Sequence, residues 1–379
     1  MHVVELNGGY VTDDRRIKIF PSTEIIATGT SWGAQISIDA GLLVHDRGAG
    51  KIILSPGDYQ DVLVDGLGDA PMAWINHQGL VYWACDDVRG RITQDGVNLP
   101  WALPQAPTPA VTATTGIMPA GRYLVSVTWL DSTNTESGCE PSTEAVLSST
   151  GGLRISIDTP PLEVYKVRIY VSPPNGQHPA LVAEVDAAAF PYNVTVAHTE
   201  TGTKSLIPLR TQGLIPMPAG SGFTTRGGFL LTWADNVLWF SAGQWAHLCD
   251  ASRNLFVFPA NVQYAVGLDT GVWVITTRGA YWIEGADLLQ ARIVPVTARR
   301  TYATGGARIS ALDAFGMQAS QDVAVFASSE GPVVGTADGQ LVAPLKDSQS
   351  WDVSDKVAQI ALIEYNGTRL MVFNIRGDV

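Results

Sequence analysis

Residues able to do chemistry are few and scattered along this chain. "GTSWG", Gly29 to Gly33, matches G-x-S-x-G, in which a serine nucleophile stands on a strained strand-to-helix turn. Here "AQISIDAGLLV" follows, which alternates like a strand, and no histidine context supplies a triad partner. Ser31 is therefore expected to carry no hydrolase chemistry, and Ser31→Ala to leave any activity unchanged. The six histidines include no H-x-H or HExxH, so a zinc site has no spacing to rest on. The carboxylates of "CDDVRG", Cys85 to Gly90, could hold a metal, but a solvated turn is the better account of them. Asp65, Asp86, Asp235, Asp269 and Asp338 fall at or near expected turns, where aspartate bonds back to the backbone. Nothing singles out two of them as the carboxylate pair of a glycosidase. "RGDV", Arg376 to Val379, repeats a local "RG" turn and needs no integrin. No catalytic, cofactor-binding or metal-binding residue is assigned, and no cofactor is expected.

One stretch holds two tryptophans and a histidine around a turn: "NVLWFSAGQWAHLCD", Asn236 to Asp250. It is either an aromatic cluster that grips a ligand or one copy of a packing unit. The rest of the chain decides.

At 379 residues the chain can bury a large core, and 46% hydrophobic with 16% charged residues marks a packed globular protein. Helical apolar spacing is almost absent, short Val/Ile/Trp-rich runs dominate, and 38 Gly with 22 Pro supply frequent turns. A net charge of -12 argues against a surface that grips phosphate backbones. It does not exclude a channel past which DNA slides. Cys85, Cys139 and Cys249 lie far apart without CxxC spacing and are expected to be buried free thiols. "MHVVELNGGYVTDD" has no basic region leading into an apolar run, and no stretch reaches the ~18 apolar residues of a membrane span. These features predict a soluble protein made in a cytosol.

Two proline-rich stretches punctuate the chain: "LPWALPQAPTPA" from Leu99 and "IPLRTQGLIPMPAG" from Ile207. Proline fixes φ and donates no N–H, so both are expected to be stiff, unpaired connectors. About a hundred residues lie between them, the size of a small sandwich domain. In "VYKVRIYV", Tyr165, Val167, Ile169 and Val171 form an apolar face, opposite a mixed face with Lys166, Arg168 and Tyr170. The expected division is 1–106, 107–212 and 213–379. The middle segment is expected to fold alone.

Outside that segment a strand–turn–strand unit recurs, starting at Leu42, Leu80, Val237, Val272, Val323 and Arg369. The starts are 38, 157, 35, 51 and 46 residues apart, and 157 falls to about fifty once the middle segment is removed. Several short strands per unit at a period of roughly 40–50 residues is the pattern of a β-propeller. The remaining residues allow about six blades. The expected fold is all-β: a β-propeller of about six blades with an inserted sandwich. On this reading Trp239 and Trp245 pack between blades.

Two resemblances sharpen the expectation. "TWLDSTNTESGCEPS" followed by "YKVRIYVSPP" resembles the fibronectin type III-like modules of phage virion proteins, with their "ES-x-x-EPS" turn and later "RIY" strand. "FTTRGGFLLTWADNVLWFSAGQWAHLCD", the hairpin from Gly271 to Tyr281 and the hairpin from Glu330 to Gly339 are similar to the propeller of tail nozzle proteins of short-tailed (podovirus) phages, also termed tail tubular B-like or tail hub proteins. Pro332 departs from the usual order of the last motif, and the resemblance is strong over about 140 residues only. It implies a non-enzymatic virion protein, a ring of six copies below the head-to-tail adaptor. That ring would pass genomic DNA without specific binding and give tail fibres a platform. The competing class is a glycan-binding or glycan-cleaving propeller that recognises a host; a third is an interaction propeller of unknown partner.

Overall fold

The computed structural model describes residues 9–11, 17–19, 32–46, 48–55, 61–68, 72–85, 87–196, 207–297, 302–310, 321–344, 351–354, 356–365 and 368–377. Among them the chain is all-β, built of many antiparallel sheets, and its one helical turn is the 3-10 segment Ala187–Ala189.

Five sheets share one plan, an antiparallel meander of four strands. Sheet I contains Trp32–Ile38, Gly41–Asp46, Lys51–Ser55 and Asp61–Val64. Sheet II contains Ala73–His77, Leu80–Cys85, Val88–Thr93 and Asn98–Pro100. Sheet III contains Phe223–Arg226, Phe229–Ala234, Val237–Phe240 and Leu255–Val257. Sheet IV contains Val262–Gly267, Gly271–Thr276, Gly279–Glu284 and Arg292–Thr297. Sheet V contains Tyr302–Ser310, Asp322–Ser328, Gly331–Gly335 and Leu341–Val342. A long hairpin, Lys356–Tyr365 with Thr368–Gly377, meets the first strand of sheet V in parallel through Thr304 and Val357. A short hairpin, Gly9–Val11 with Ile17–Ile19, lies near the N-terminus.

Successive sheets pack through shared apolar clusters. Leu43 and Ile52 of sheet I meet Val81 and Trp83 of sheet II. Tyr82 of sheet II meets Leu230 of sheet III. Trp233 and Leu238 meet Ala265 and Val274 across III and IV, and Trp273 and Trp282 meet Phe326 across IV and V. Val325 and Val334 of sheet V then pack on Ile360 and Phe373 of the C-terminal hairpin. The first strand of each sheet also lies against the first strand of the next, from sheet I through to the C-terminal hairpin. At two of these joints the backbones approach so closely that only glycine fits. A Cβ on Gly267 would stand 2.0 Å from Thr225 O, and one on Gly305 would stand 1.9 Å from Ala358 O.

Five of the six repeat starts fall in the second strand of their sheet or hairpin, as one unit should. Val237 begins the third strand of sheet III; the second is "FLLTWA", from Phe229. Aromatic residues on two adjacent strands made either one look like the unit's start. The "RG" pairs expected as turns differ too: Arg376–Gly377 ends strand Thr368–Gly377, and Arg89 and Gly90, in "CDDVRG", are also strand residues. Both lie within Val88–Thr93, with Gly90 directly opposite Trp83, whose indole fills the space of a Cβ.

The middle segment forms two sheets over one core. Ala110–Met118, Gly151–Ser156 and Tyr192–Val194 make one; Thr143–Leu147, Gly121–Leu130, Lys166–Val171 and Ala180–Asp186 make the other. Val127, Trp129, Leu153, Ile155, Val167 and Ile169 are buried between them. The alternation in "VYKVRIYV" places Val167, Ile169 and Val171 inward, whereas Tyr165 is 58% exposed. Leu103 and Ala106 from the preceding proline-rich stretch belong to the same cluster. A fragment spanning 103–214 is therefore expected to melt cooperatively and at a higher temperature than 107–212, which lacks both anchors. Calorimetry checks this; two fragments of equal stability would contradict the anchoring.

Candidate functional site

The strongest concentration of buried polar groups lies where sheets II and III meet the middle segment. It is built from a turn, two strands and a loop.

The turn begins at Asp131, as strand Gly121–Leu130 ends. Asp131 Oδ1 accepts the N–H of Thr133 and of Thr135, both at 2.9 Å, and the Thr133 hydroxyl at 2.7 Å. This is the local bonding that makes aspartate a turn residue. Its other oxygen is left free to face sheet II. There Arg91, 0% exposed, donates from Nη2 to Asp131 Oδ2 at 2.7 Å and from Nε to Pro100 O at 2.8 Å. Burial pushes the Asp131 carboxyl up, but the Thr133 hydroxyl, the Arg91 charge and the Thr135 N–H together hold it below the usual carboxylate range. Tyr82, directly opposite Arg91 on the neighbouring strand, has its hydroxyl pushed up to about 12 by burial.

Glu136 is the second centre. Its Oε1 accepts the hydroxyls of Thr128 and Tyr170, each at 2.6 Å, and its Oε2 accepts Arg168 Nη1 at 3.1 Å. The mixed face of "VYKVRIYV" is thus divided between two carboxylates: Glu184 takes Lys166 and Arg168 Nε, and Glu136 takes Tyr170 and Arg168 Nη1. Tyr170 is buried there although it lies opposite the apolar face.

His247 joins this centre to sheet III. Its Nε2–H donates to the Glu136 backbone carbonyl at 2.8 Å, which fixes the neutral tautomer. Burial, reinforced by the Arg91 charge, lowers its pKa to about 4. A depressed folded-state pKa means that the unfolded chain binds the proton more readily. The stability this contributes is complete above the ordinary value of 6.5 and is lost as pH falls toward 4. Urea unfolding is expected to show a loss of about 3 kcal/mol from pH 7 to 4 from this group. His247→Gln, which keeps an N–H donor without a titratable proton, should flatten that slope. An unchanged slope would contradict the assignment.

The residues after Glu136 stitch the joint to both proline-rich stretches. Ala106 N donates to Gly138 O, and Glu140 N to Ala106 O, both at 2.9 Å. From the other side Cys139 N donates to Thr211 O at 3.3 Å and Gly213 N to Cys139 O at 2.8 Å. A Cβ on Gly138 would fall 1.9 Å from Leu214 O, so glycine is needed for the approach. Glu140 accepts both the N–H and the hydroxyl of Thr108, at 3.1 and 2.9 Å. The stretches are therefore paired with the segment they flank, correcting the expectation of unpaired connectors. Proline removes its own N–H, but Ala106, Thr211 and Gly213 between the prolines keep theirs or their carbonyls. Trp101 adds a further tie, donating from Nε1 to Met217 O at 3.1 Å beneath the Arg89 guanidinium, 5.2 Å from its ring.

An open cleft of about 410 Å³ lies over this joint. Its floor includes Tyr82, Glu136 and His247; Trp245 forms one wall, and Gln78, Asn134 and Gln244 stand at the rim. Trp245 is a half-buried cleft residue, while Trp239 packs against the cluster of Tyr82, Trp101 and Leu230.

The other candidates do not converge. Ser31 and Asp86 lie outside the described residues. Asp65 faces Lys51 at 3.7 Å, Asp269 pairs with Arg308 at 2.9 Å and Asp338 accepts the Thr336 hydroxyl, each in the turns of a different sheet. Asp235 takes the positive φ of 49° that turns strand two of sheet III into strand three. Cys85, Cys139 and Cys249 are buried and joined in no disulfide. Among the described residues no group of three His, Cys, Asp or Glu is placed to hold a metal. No described helix is long and apolar enough to cross a membrane.

No protein-family model matches the chain, and no curated protein matches it. Among solved structures it is similar to the N-terminal part of BBS1 in complex with ARL6, at 11% identity and TM-score 0.35, covering 91% of this chain and 89% of that one. It is also similar to apo AztD from Citrobacter koseri, at 12% identity and TM-score 0.28, covering 88% and 90%. The Saccharomyces cerevisiae Sqt1 structure aligns at 10% identity and TM-score 0.24, covering 77% and 79%.

Proposed function

We propose that the chain is a structural protein of a phage tail: a nozzle or hub ring that forms part of the DNA ejection channel and carries fibres. Its fold, on this reading, is a β-propeller of about six blades, comprising 1–106 and 213–379, with a fibronectin type III-like sandwich inserted at 107–212. The side-by-side succession of first strands supports the propeller. The observation that carries the function is the joint. Arg91 with Asp131, His247 with the Glu136 carbonyl and the backbone bonds of Gly138 and Cys139 lock one body to another. The Glu136 carboxylate is spent on Thr128, Tyr170 and Arg168 within the middle segment, leaving no nucleophile–base pair among the described residues of the site. A locked joint suits a part that transmits load within an assembly. The role as a tail ring comes from the resemblance of the Gly271–Tyr281 and Glu330–Gly339 hairpins. Peptide mass spectrometry of virions of the phage encoding this chain should find it in several copies per particle. Its absence from purified virions would overturn the reading.

One observation favours a second reading. Trp245 with the rim amides Gln78, Asn134 and Gln244 offers the aromatic wall and planar donors that suit a glycan. Glycan-array binding abolished by Trp245→Ala would establish it, and hydrolysis of a bound glycan would replace the structural assignment.

A further inference from the structure

Sheets I to V have four strands each, whereas the C-terminal hairpin ends at two and the N-terminal hairpin has two. We propose that these hairpins are halves of one sheet, Gly9–Val11 adding antiparallel to the edge of Thr368–Gly377. The inference rests on the propeller reading and adds how the chain closes it.

Strand direction fixes the order. Lys356–Tyr365 runs parallel to the first strand of sheet V and touches it at Thr304, so it holds a first-strand position. Thr368–Gly377 is antiparallel to it through ten register pairs and is second. A meander then requires a third strand antiparallel to the second and a fourth antiparallel to the third. Gly9–Val11 and Ile17–Ile19, already antiparallel, supply both in chain order, and the chain then enters sheet I at Trp32.

Size and edge chemistry agree. The fourth strands of sheets II, III and V have three, three and two residues, so the three-residue strand Ile17–Ile19 suits the outer, fourth position. Thr368–Gly377 is a ten-residue strand containing Leu370, Met371, Val372, Phe373 and Ile375. It stands last in its sheet order, with one row of backbone donors and acceptors unpaired within that sheet. Long apolar edges of this kind template aggregation unless covered. The twelve residues from 20 to 31 span up to about 45 Å, enough for the hairpin to reach an edge beside sheet I in its own chain.

The test pairs Tyr10→Cys with Leu370→Cys, Met371→Cys or Val372→Cys under mild oxidation. A disulfide needs Cα atoms about 4.4–6.8 Å apart, and the three native thiols are buried. At least one pair is expected to form an intrachain bond and raise Tm, and deleting residues 1–19 should lower Tm by roughly 5 °C or more. A control pair, Ser37→Cys with Gln359→Cys bridged by a flexible bis-maleimide, reports whether sheet I neighbours the C-terminal hairpin. If the control links while no Tyr10 pair does, the hairpin assignment is wrong and the propeller stands. If neither links, the propeller reading fails as well. Disulfides between chains would overturn closure within one chain.

Discussion

Replacing Arg91 with methionine is expected to lower unfolding free energy by about 3–5 kcal/mol, the range for breaking a buried ion pair. Methionine keeps most of the volume and removes the charge, so the loss is electrostatic. Arg91 and Asp131 are 0% and 2% exposed, and screening by solvent is minimal. Once Arg91 is gone, burial alone acts against the Asp131 charge, opposed only by the turn's own hydrogen bonds. Adding Asp131→Asn should recover much of the loss, because Asn can still accept from Thr133 and Thr135 while the stranded charge disappears. Urea midpoints and slopes for the wild type, both single variants and the double close the cycle. A loss near that of an exposed pair, below about 1 kcal/mol, would show that the joint is wet.

Trp273→Ala is expected to cost about 3–5 kcal/mol, the range for emptying a large aromatic from a core. Trp273 is 0% exposed between sheets IV and V. Its indole N–H donates to Thr336 O at 3.0 Å, and its ring occupies the space above Gly335, where a Cβ would come within 2.6 Å. Trp282 lies 5.1 Å away between ring centroids, so the cavity would open beside a second large ring with few ways to collapse. Trp239→Ala, from a partly buried position, should cost clearly less. Equal losses at both positions would mean that the cluster between IV and V is not a principal core.

The sheets were legible in the sequence because each repeats the same local chemistry. Thr276 and Ser328 close the second turn of sheets IV and V in the same way, each hydroxyl donating to the carbonyl of the glycine three residues on, Gly279 or Gly331, at 2.9 Å. That T/S-x-x-G spacing stands in the sequence at both turns. The glycines of the Glu330–Gly339 hairpin also have a local cause: Gly335 and Gly339 clear space for Trp273 and Trp282 of the preceding sheet. The joint was much less legible. Arg91 and Asp131 are 40 residues apart, and His247 lies 111 residues from the carbonyl it meets. No local pattern marks such partners. The available signal was compositional: a mixed strand face carrying Arg168 and Tyr170 beside a turn containing Glu136, where a solvated face needs no such match. The half-buried place of Trp245 in the cleft was illegible for a related reason, since a tryptophan outside any strand obeys no alternation rule.

The central claim is a ring whose wall lets DNA slide. On the proposed reading, a charge of -12 per chain repeated around several copies is expected to leave the lumen electronegative. Duplex DNA carries one charge per ~1.7 Å of axis, so a basic wall would convert passage into binding, whereas an acidic wall keeps the duplex near the axis. Electron cryomicroscopy of an assembled tail, with this chain placed in the map and the potential of the channel wall calculated, tests the claim most directly. The account predicts a closed ring of this chain around the channel, six copies by the resemblance, with an electronegative lumen. A basic lumen, or a position on the tail's exterior away from the channel, would contradict it.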